Sequence, residues 1–181
     1  HFNEISIKEV KKYLKDKNSY KVPSCHDPLS AKIIEKQGFK VSFIGGFALS
    51  SASLGYPDAS IITEKELVDA TKGICNQTKN PVVIDADTGF GGLLNVRETV
   101  RLYEKAGAQI IQLEDQEFPK KCGHLDGKRL EDIDTMVKKI KVAKDSIEGK
   151  NTLIAARTDS HQSEGLSGVM TVSYTHLRAH E

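Results

Sequence analysis

The chain has no tryptophan, and its 181 residues hold only three cysteines, Cys25, Cys75 and Cys122. An odd number at irregular spacing excludes a disulfide framework and points to a reduced, cytoplasmic protein. No apolar run approaches the roughly 20 residues that cross a bilayer, and no signal-peptide pattern opens the chain. The first residue is His1 rather than Met, so the natural start is expected upstream. A formal net charge of +1 gives no strong field of either sign. Nothing therefore points to nucleic acid or a membrane surface as a partner. Low-complexity segments are absent, and no linker interrupts the chain before Ser160. The length suffices for one domain with a sizeable core.

The stretch Pro81–Gly92, Pro-Val-Val-Ile-Asp-Ala-Asp-Thr-Gly-Phe-Gly-Gly, carries the densest signal. Val82 to Ile84 is a β-branched apolar run typical of a buried strand. Residues two apart in a strand share a side, so Asp85 and Asp87 are expected to project together from its end. Adjacent carboxylates repel unless a proton or cation lies between them. A hard divalent ion with oxygen ligands, Mg²⁺ foremost, would relieve that repulsion. The alternative is that the aspartates cap the following helix and the glycines make a turn.

Strand and helix patterns alternate on either side. Ile5–Asp16 reads as an amphipathic helix with Ser6 and Glu9 as a capping box. Tyr20–Pro23 is a short strand candidate. Asp27 is an N-cap with Pro28 at the first helical position, and Gly38 ends that helix. Val41–Ile44 reads as a strand, followed by Gly45-Gly46 and a small, Ser-rich segment to Leu54. Thr63 and Glu66 make a second capping box for a helix reaching about Gln77. Asn95–Ala106 and Glu131–Lys144 are further helices, and Ile110–Glu114 and Leu153–Arg157 further strands. Such alternation implies a parallel sheet with right-handed crossovers. Gly45-Gly46, Asp85, Asp87, Glu114 and Arg157 all fall at or just beyond C-terminal strand ends. A barrel gathers those ends into one mouth, whereas an open sheet joins only those near its switch point. After Ser160 the periodicity fades, and Val172–Glu181 matches neither a core strand nor an amphipathic helix.

Lys120-Lys121-Cys122-Gly123-His124 is the second chemical signal. Two lysines and a histidine around a cysteine favour its thiolate. Cys122 could serve as a nucleophile or as an acid-base group delivering a proton to a carbanion. The plainer account is a basic surface loop with an incidental thiol. A four-ligand zinc site lacks a second Cys or His at suitable spacing. Cys25 and Cys75 read as packed thiols.

Phe43–Asp58, Asp85-Ala86-Asp87-Thr88-Gly89-Phe90-Gly91, Glu114-Asp115-Gln116, the Cys122 loop and Ala156-Arg157-Thr158-Asp159 together resemble the isocitrate lyase / phosphoenolpyruvate mutase superfamily. The likeness is greatest to its 2-methylisocitrate lyase-like branch and covers roughly residues 20–160. It implies an α/β fold, a (β/α)₈ TIM-type barrel. About five βα units are visible here, where such a barrel needs about 250 residues. Residues 1–160 are accordingly expected to form a partial catalytic barrel, and 161–181 a tail foreign to the family, of translated-adapter type. A barrel short of about three strands leaves open edges, so this piece alone is expected to be poorly stable.

By matching motif, Asp85 and Asp87 would hold Mg²⁺, with Mn²⁺ as a substitute, and Asp58 and Glu114 would act on its water shell. The backbone around Gly45, Gly46 and Phe47 would hold a substrate carboxylate. Arg157 would pair with a carboxylate, a bidentate task that suits guanidinium. Cys122 would be the acid-base residue of a gating loop, with Gly123 and His124 beside the substrate. Gly45 stands where many relatives carry Ser or Thr. The resemblance implies a homotetramer acting on a small di- or tricarboxylate or oxo-acid. The implied reaction is carbon–carbon cleavage of a 2-methylisocitrate- or isocitrate-like 2-hydroxy acid to a 2-oxo acid and a dicarboxylate. An oxaloacetate hydrolase or decarboxylase, or a phosphonomutase-type enzyme, is the sister reading. A non-catalytic ligand-binding domain is the alternative from another class.

Overall fold

Each crossover from one strand to the next returns parallel, and this governs the architecture. The computed structural model describes residues 10–12, 15, 19–149 and 151–179. The capping box at Ser6 and Glu9 and most of the first expected helix lie outside these residues.

Helix α1 (Pro28–Lys36) begins at Asp27, whose Oδ1 accepts the Ser30 N–H at 2.6 Å, with Pro28 at its first position. Strand β1 (Ser42–Ile44) follows, then the single-turn helix α2 (Gly46–Leu49) and a π-helical turn, Ser50–Leu54. Helix α3 (Glu64–Cys75) carries the capping box expected of Thr63 and Glu66. Strand β2 is Val82–Asp85, helix α4 Leu93–Ala106 and strand β3 Ile110–Glu114. Helix α5 (Ile133–Asp145) and strand β4 (Leu153–Arg157) complete the alternation.

The strands form one parallel sheet in the order β1-β2-β3-β4. The first expected strand, Tyr20–Pro23, is corrected to a single parallel bridge between Ser24 and Phe43. Pro23 has no N–H to donate, and the helix start at Asp27 cuts pairing short. Two backbone bonds tie this first unit to β1, Phe43 N–H to Pro23 O and Cys25 N–H to Phe43 O, at 3.0 and 2.8 Å. With four strands and a bridge, the parallel βα order is a partial (β/α)₈ barrel of TIM type.

Apolar positions on the strands meet the inner faces of the helices. Ile44, Ile84 and Ile111 from the sheet pack with Leu67 and Ile74 of α3, Val96, Val100 and Tyr103 of α4, and Met136 and Ile140 of α5. Ile44 is in register with Ile84, Ile84 with Ile111, and Ile111 with Ile154, so the apolar row crosses all four strands. Strand β4 is half-buried along most of its length, and no strand pairs with its outer edge among the described residues. Where the sequence period faded, the chain forms helix α6 (His161–Ala179), with one non-helical residue at Gly165. It lies on α5. No helix among the described residues is long and apolar enough to cross a membrane.

Candidate active site

Strand β2 ends on Asp85, whose Oδ1 accepts the Asp87 N–H at 3.1 Å. Asp87 takes a left-handed φ of 48°. Its carbonyl accepts the Glu114 N–H at 2.9 Å and ties the turn to the end of β3. Strand alternation therefore stops before Asp87, contrary to the expectation that it aims both aspartates. A local turn brings them to one centre instead.

Glu114 is fully buried and is the register partner of Arg157 on β4. Its Oε2 lies 3.2 Å from Arg157 Nη1, which also stands 3.4 Å from Asp85 Oδ2. The opposite edge of the guanidinium pairs with Asp159, at 3.0 Å from Nε and 3.1 Å from Nη2. The second cation is Lys120. Its Nζ lies 2.9 Å from Asp58 Oδ1 and 3.0 Å from Asp87 Oδ1. Asp58, Asp85, Asp87, Glu114 and Asp159 thus surround two cations, an excess of negative charge at the C-terminal ends of the strands.

The remaining expected residues lie around this centre. Gly46 is buried, and a Cβ there would stand 3.4 Å from Asp87 Oδ1, so its backbone approaches the acids closely. Gly45 is buried beside Phe43, while the Phe47 side chain is 62% exposed. Cys122 is half-buried with Sγ 3.8 Å from Nδ1 of the exposed His124. A Cβ on Gly123 would fall 2.5 Å from Arg157 Nη2, so only glycine lets the loop touch the guanidinium.

The lysines beside Cys122 are engaged elsewhere. Lys120 serves Asp58 and Asp87, and Lys121 Nζ binds the Gly127 carbonyl at 3.2 Å. Sequence reasoning passed over Lys120 as a site residue. Its one signal was membership in the Lys-Lys-Cys run. Burial pushes the thiols of Cys25 and Cys75 up to about 11 and about 12, in keeping with packed, inert groups.

Burial, reinforced by the charge of Asp85, pushes Glu114 up to about 8. Asp87 is pushed up to about 6, by burial against the pull of Lys120. Lys120 is raised, because burial is outweighed by Asp87 and Asp58. A carboxyl raised on folding stabilises the native state fully only below its unfolded value, and that stability is lost as pH rises through the folded value. For Glu114 and Asp87 the window runs from about 4 to about 8. We expect the melting temperature in EDTA to be lower at pH 8 than at pH 5.5, and Mg²⁺ to shrink the difference. A flat profile in EDTA would overturn the assigned burial of these charges.

Among the described residues, no three His, Cys, Asp or Glu groups form a ready-made metal cage. Lys120 and Arg157 stand between the acids. Two features nonetheless fit a hard divalent ion. The charge excess is one. The other is Glu114, whose two buried oxygens have no hydrogen bond among the described residues. A hydrated cation would supply donors to them.

The four-stranded parallel unit is thus a partial TIM-type barrel with an acidic, cation-bridged centre at the C-terminal ends of its strands. Residues 10–177 match the phosphoenolpyruvate phosphomutase family, and the chain belongs to it. A 2,3-dimethylmalate lyase of Eubacterium barkeri is 41% identical over 158 residues, covering 87% of this chain and 55% of that protein. A 2-methylisocitrate lyase of Halalkalibacterium halodurans is 38% identical over 166 residues, covering 92% of this chain and 54% of its own. The crystal structure of a phosphonopyruvate hydrolase complexed with oxalate and Mg²⁺ superposes with a TM-score of 0.86 at 28% identity, covering 96% of this chain and 59% of that one. The chain spans about half the length of the curated relatives it matches.

Proposed function

We propose that the protein is a Mg²⁺-dependent carbon–carbon lyase for a short 2-hydroxy acid of the 2-methylisocitrate or 2,3-dimethylmalate kind. The observation that carries this reading is the buried acidic centre bridged by Lys120 and Arg157, with the Cys122 loop resting on Arg157 through Gly123. The two lyases described above support the substrate class.

Asp85 and Asp87 would hold the ion, with Asp58 and Glu114 acting on its water. When bound, Mg²⁺ polarises the developing oxo-acid oxygens as a Lewis acid. The chain's own residues do the rest. Backbone N–H groups around Gly45, Gly46 and Phe47 bind one carboxylate. Arg157, oriented by Asp159 and also paired through Nη1 with Asp85 and Glu114, would turn that Nη1 toward another. A carboxylate of the acidic centre takes the 2-hydroxyl proton as the bond to the neighbouring carbon breaks. The electron pair passes into the adjacent carboxylate, and the Cys122 thiol returns a proton to that carbon.

The test is product analysis on the intact protein with Mg²⁺. Separate incubations contain 2,3-dimethylmalate, 2-methylisocitrate, isocitrate, oxaloacetate and phosphonopyruvate. Pyruvate from either of the first two, abolished by EDTA, is the expected result. Oxalate from oxaloacetate alone, or phosphate from phosphonopyruvate alone, would replace the lyase by a hydrolase. No product together with no Mg²⁺ uptake by calorimetry would leave a ligand-binding domain.

A further inference from the structure

We propose that Gln116 is a positioning residue that sets the register of the Cys122 loop against the Arg157 clamp. The inference rests on reading Cys122 as proton donor and Arg157 as carboxylate clamp. Gln116 lies two residues beyond β3 and is 1% exposed. Its Oε1 accepts the Lys121 N–H at 3.1 Å, while its Nε2 donates to the Lys121 carbonyl at 3.0 Å and to Asp159 Oδ2 at 2.8 Å. Turning the amide over would set its oxygen against a carbonyl and a carboxylate, so the three bonds fix its orientation.

The two bonds to Lys121 grip successive peptide planes. The Lys121 N–H belongs to the peptide after Lys120, whose ammonium reaches Asp58 and Asp87. The Lys121 carbonyl belongs to the peptide that leads into Cys122. One buried amide therefore fixes where the ammonium enters the acidic centre and where the thiol leaves it. The third bond reaches Asp159, which orients Arg157 through two contacts and is itself held by its N–H on Asp115 Oδ1 at 2.8 Å. Gly123 touches the same guanidinium from the loop side. Donor and clamp are thus referenced to a single buried side chain.

The test compares Gln116→Met and Gln116→Glu in the intact protein with the native chain. Methionine keeps the volume and loses all three bonds. Glutamate keeps the shape and turns a negative oxygen toward the Lys121 carbonyl and Asp159. The first readout is the alkylation rate of each thiol by iodoacetamide, resolved by peptide mass, with and without Mg²⁺ and oxalate. Cys122 is expected to react about tenfold faster in both variants, with Cys25 and Cys75 unchanged, and kcat is expected to fall about 10- to 100-fold while Mg²⁺ affinity holds. A merely structural glutamine would instead raise all three thiol rates together as melting drops. That pattern, or native Cys122 reactivity and kcat in either variant, overturns the proposal. Alkylation needs no turnover, so the result stands apart from the lyase reading. Full turnover in Cys122→Ser would defeat that reading and leave the register measurement intact.

Discussion

Replacing Cys122 by Ser will lower turnover by about two to four orders of magnitude, the range a positioned proton donor supplies. Mg²⁺ uptake and melting temperature will stay at native values. The structure makes the separation sharp because the loop is anchored by residues other than Cys122. Lys120 pins its start to Asp58 and Asp87. Gln116 holds both backbone groups of Lys121. Lys128 Nζ closes its far side on the carbonyls of Gly123 and Leu125, at 2.7 and 3.0 Å, and also contacts Gln162. Exchanging sulfur for oxygen disturbs none of these, but it substitutes a much weaker acid. Kinetics in D₂O add a second readout. The native protein should deliver deuterium to one face of the departing carbon, and the residual reaction of the variant should lose that preference. Native turnover in Cys122→Ser would remove the thiol from the chemistry.

Much of this arrangement is legible in the residues alone, for reasons that differ by element. Strands β2, β3 and β4 run where their short apolar stretches place them, since parallel strands between helices favour such runs. The caps at Asp27 and Thr63 are local chemistry, readable within four residues. Helix α4 starts two residues earlier than its apolar pattern, since Asn95 Oδ1 reaches back to the Gly92 N–H at 3.2 Å. The tail hides helix α6 because Gly165 breaks its period and few of its described side chains are buried.

The acidic centre divides along the same line. Its carboxylates stand out because acids at strand ends are unusual. Its cations do not, because a lysine in a polar loop looks like any solvated charge. The partners of Lys120 lie 62 residues away at Asp58 and more than 30 away at Asp87, distances no local pattern spans. Gln116 is hidden likewise, since its partner Asp159 is 43 residues distant. Residues that neutralise and orient a site are set by tertiary proximity, so sequence reveals the charges needing compensation before it reveals what compensates them.

Lys120→Met therefore tests the part of the site that only the structure shows. The ammonium side chain is 4% exposed, and its two carboxylate partners are 10% and 3% exposed. Removing one member of a buried ion pair costs about 3–5 kcal/mol, because the charge left behind has no partner. Here two aspartates are left, with Asp85 and Glu114 close by. For a chain of this length that loss corresponds to a melting temperature lower by about 10 °C in EDTA. Two treatments should restore stability, each by neutralising the same charges. Lowering the pH toward 5 lets Asp87 take a proton, the more readily because the variant lacks the Lys120 pull that holds it down to about 6 in the native protein. Adding Mg²⁺ supplies two positive charges where one was lost. The ion should thus raise the melting temperature of Lys120→Met by more than that of the native protein. A variant that melts at the native temperature would mean that Asp58 and Asp87 do not depend on Lys120 for compensation. A destabilised variant indifferent to Mg²⁺ would mean that this acidic centre does not take up the metal.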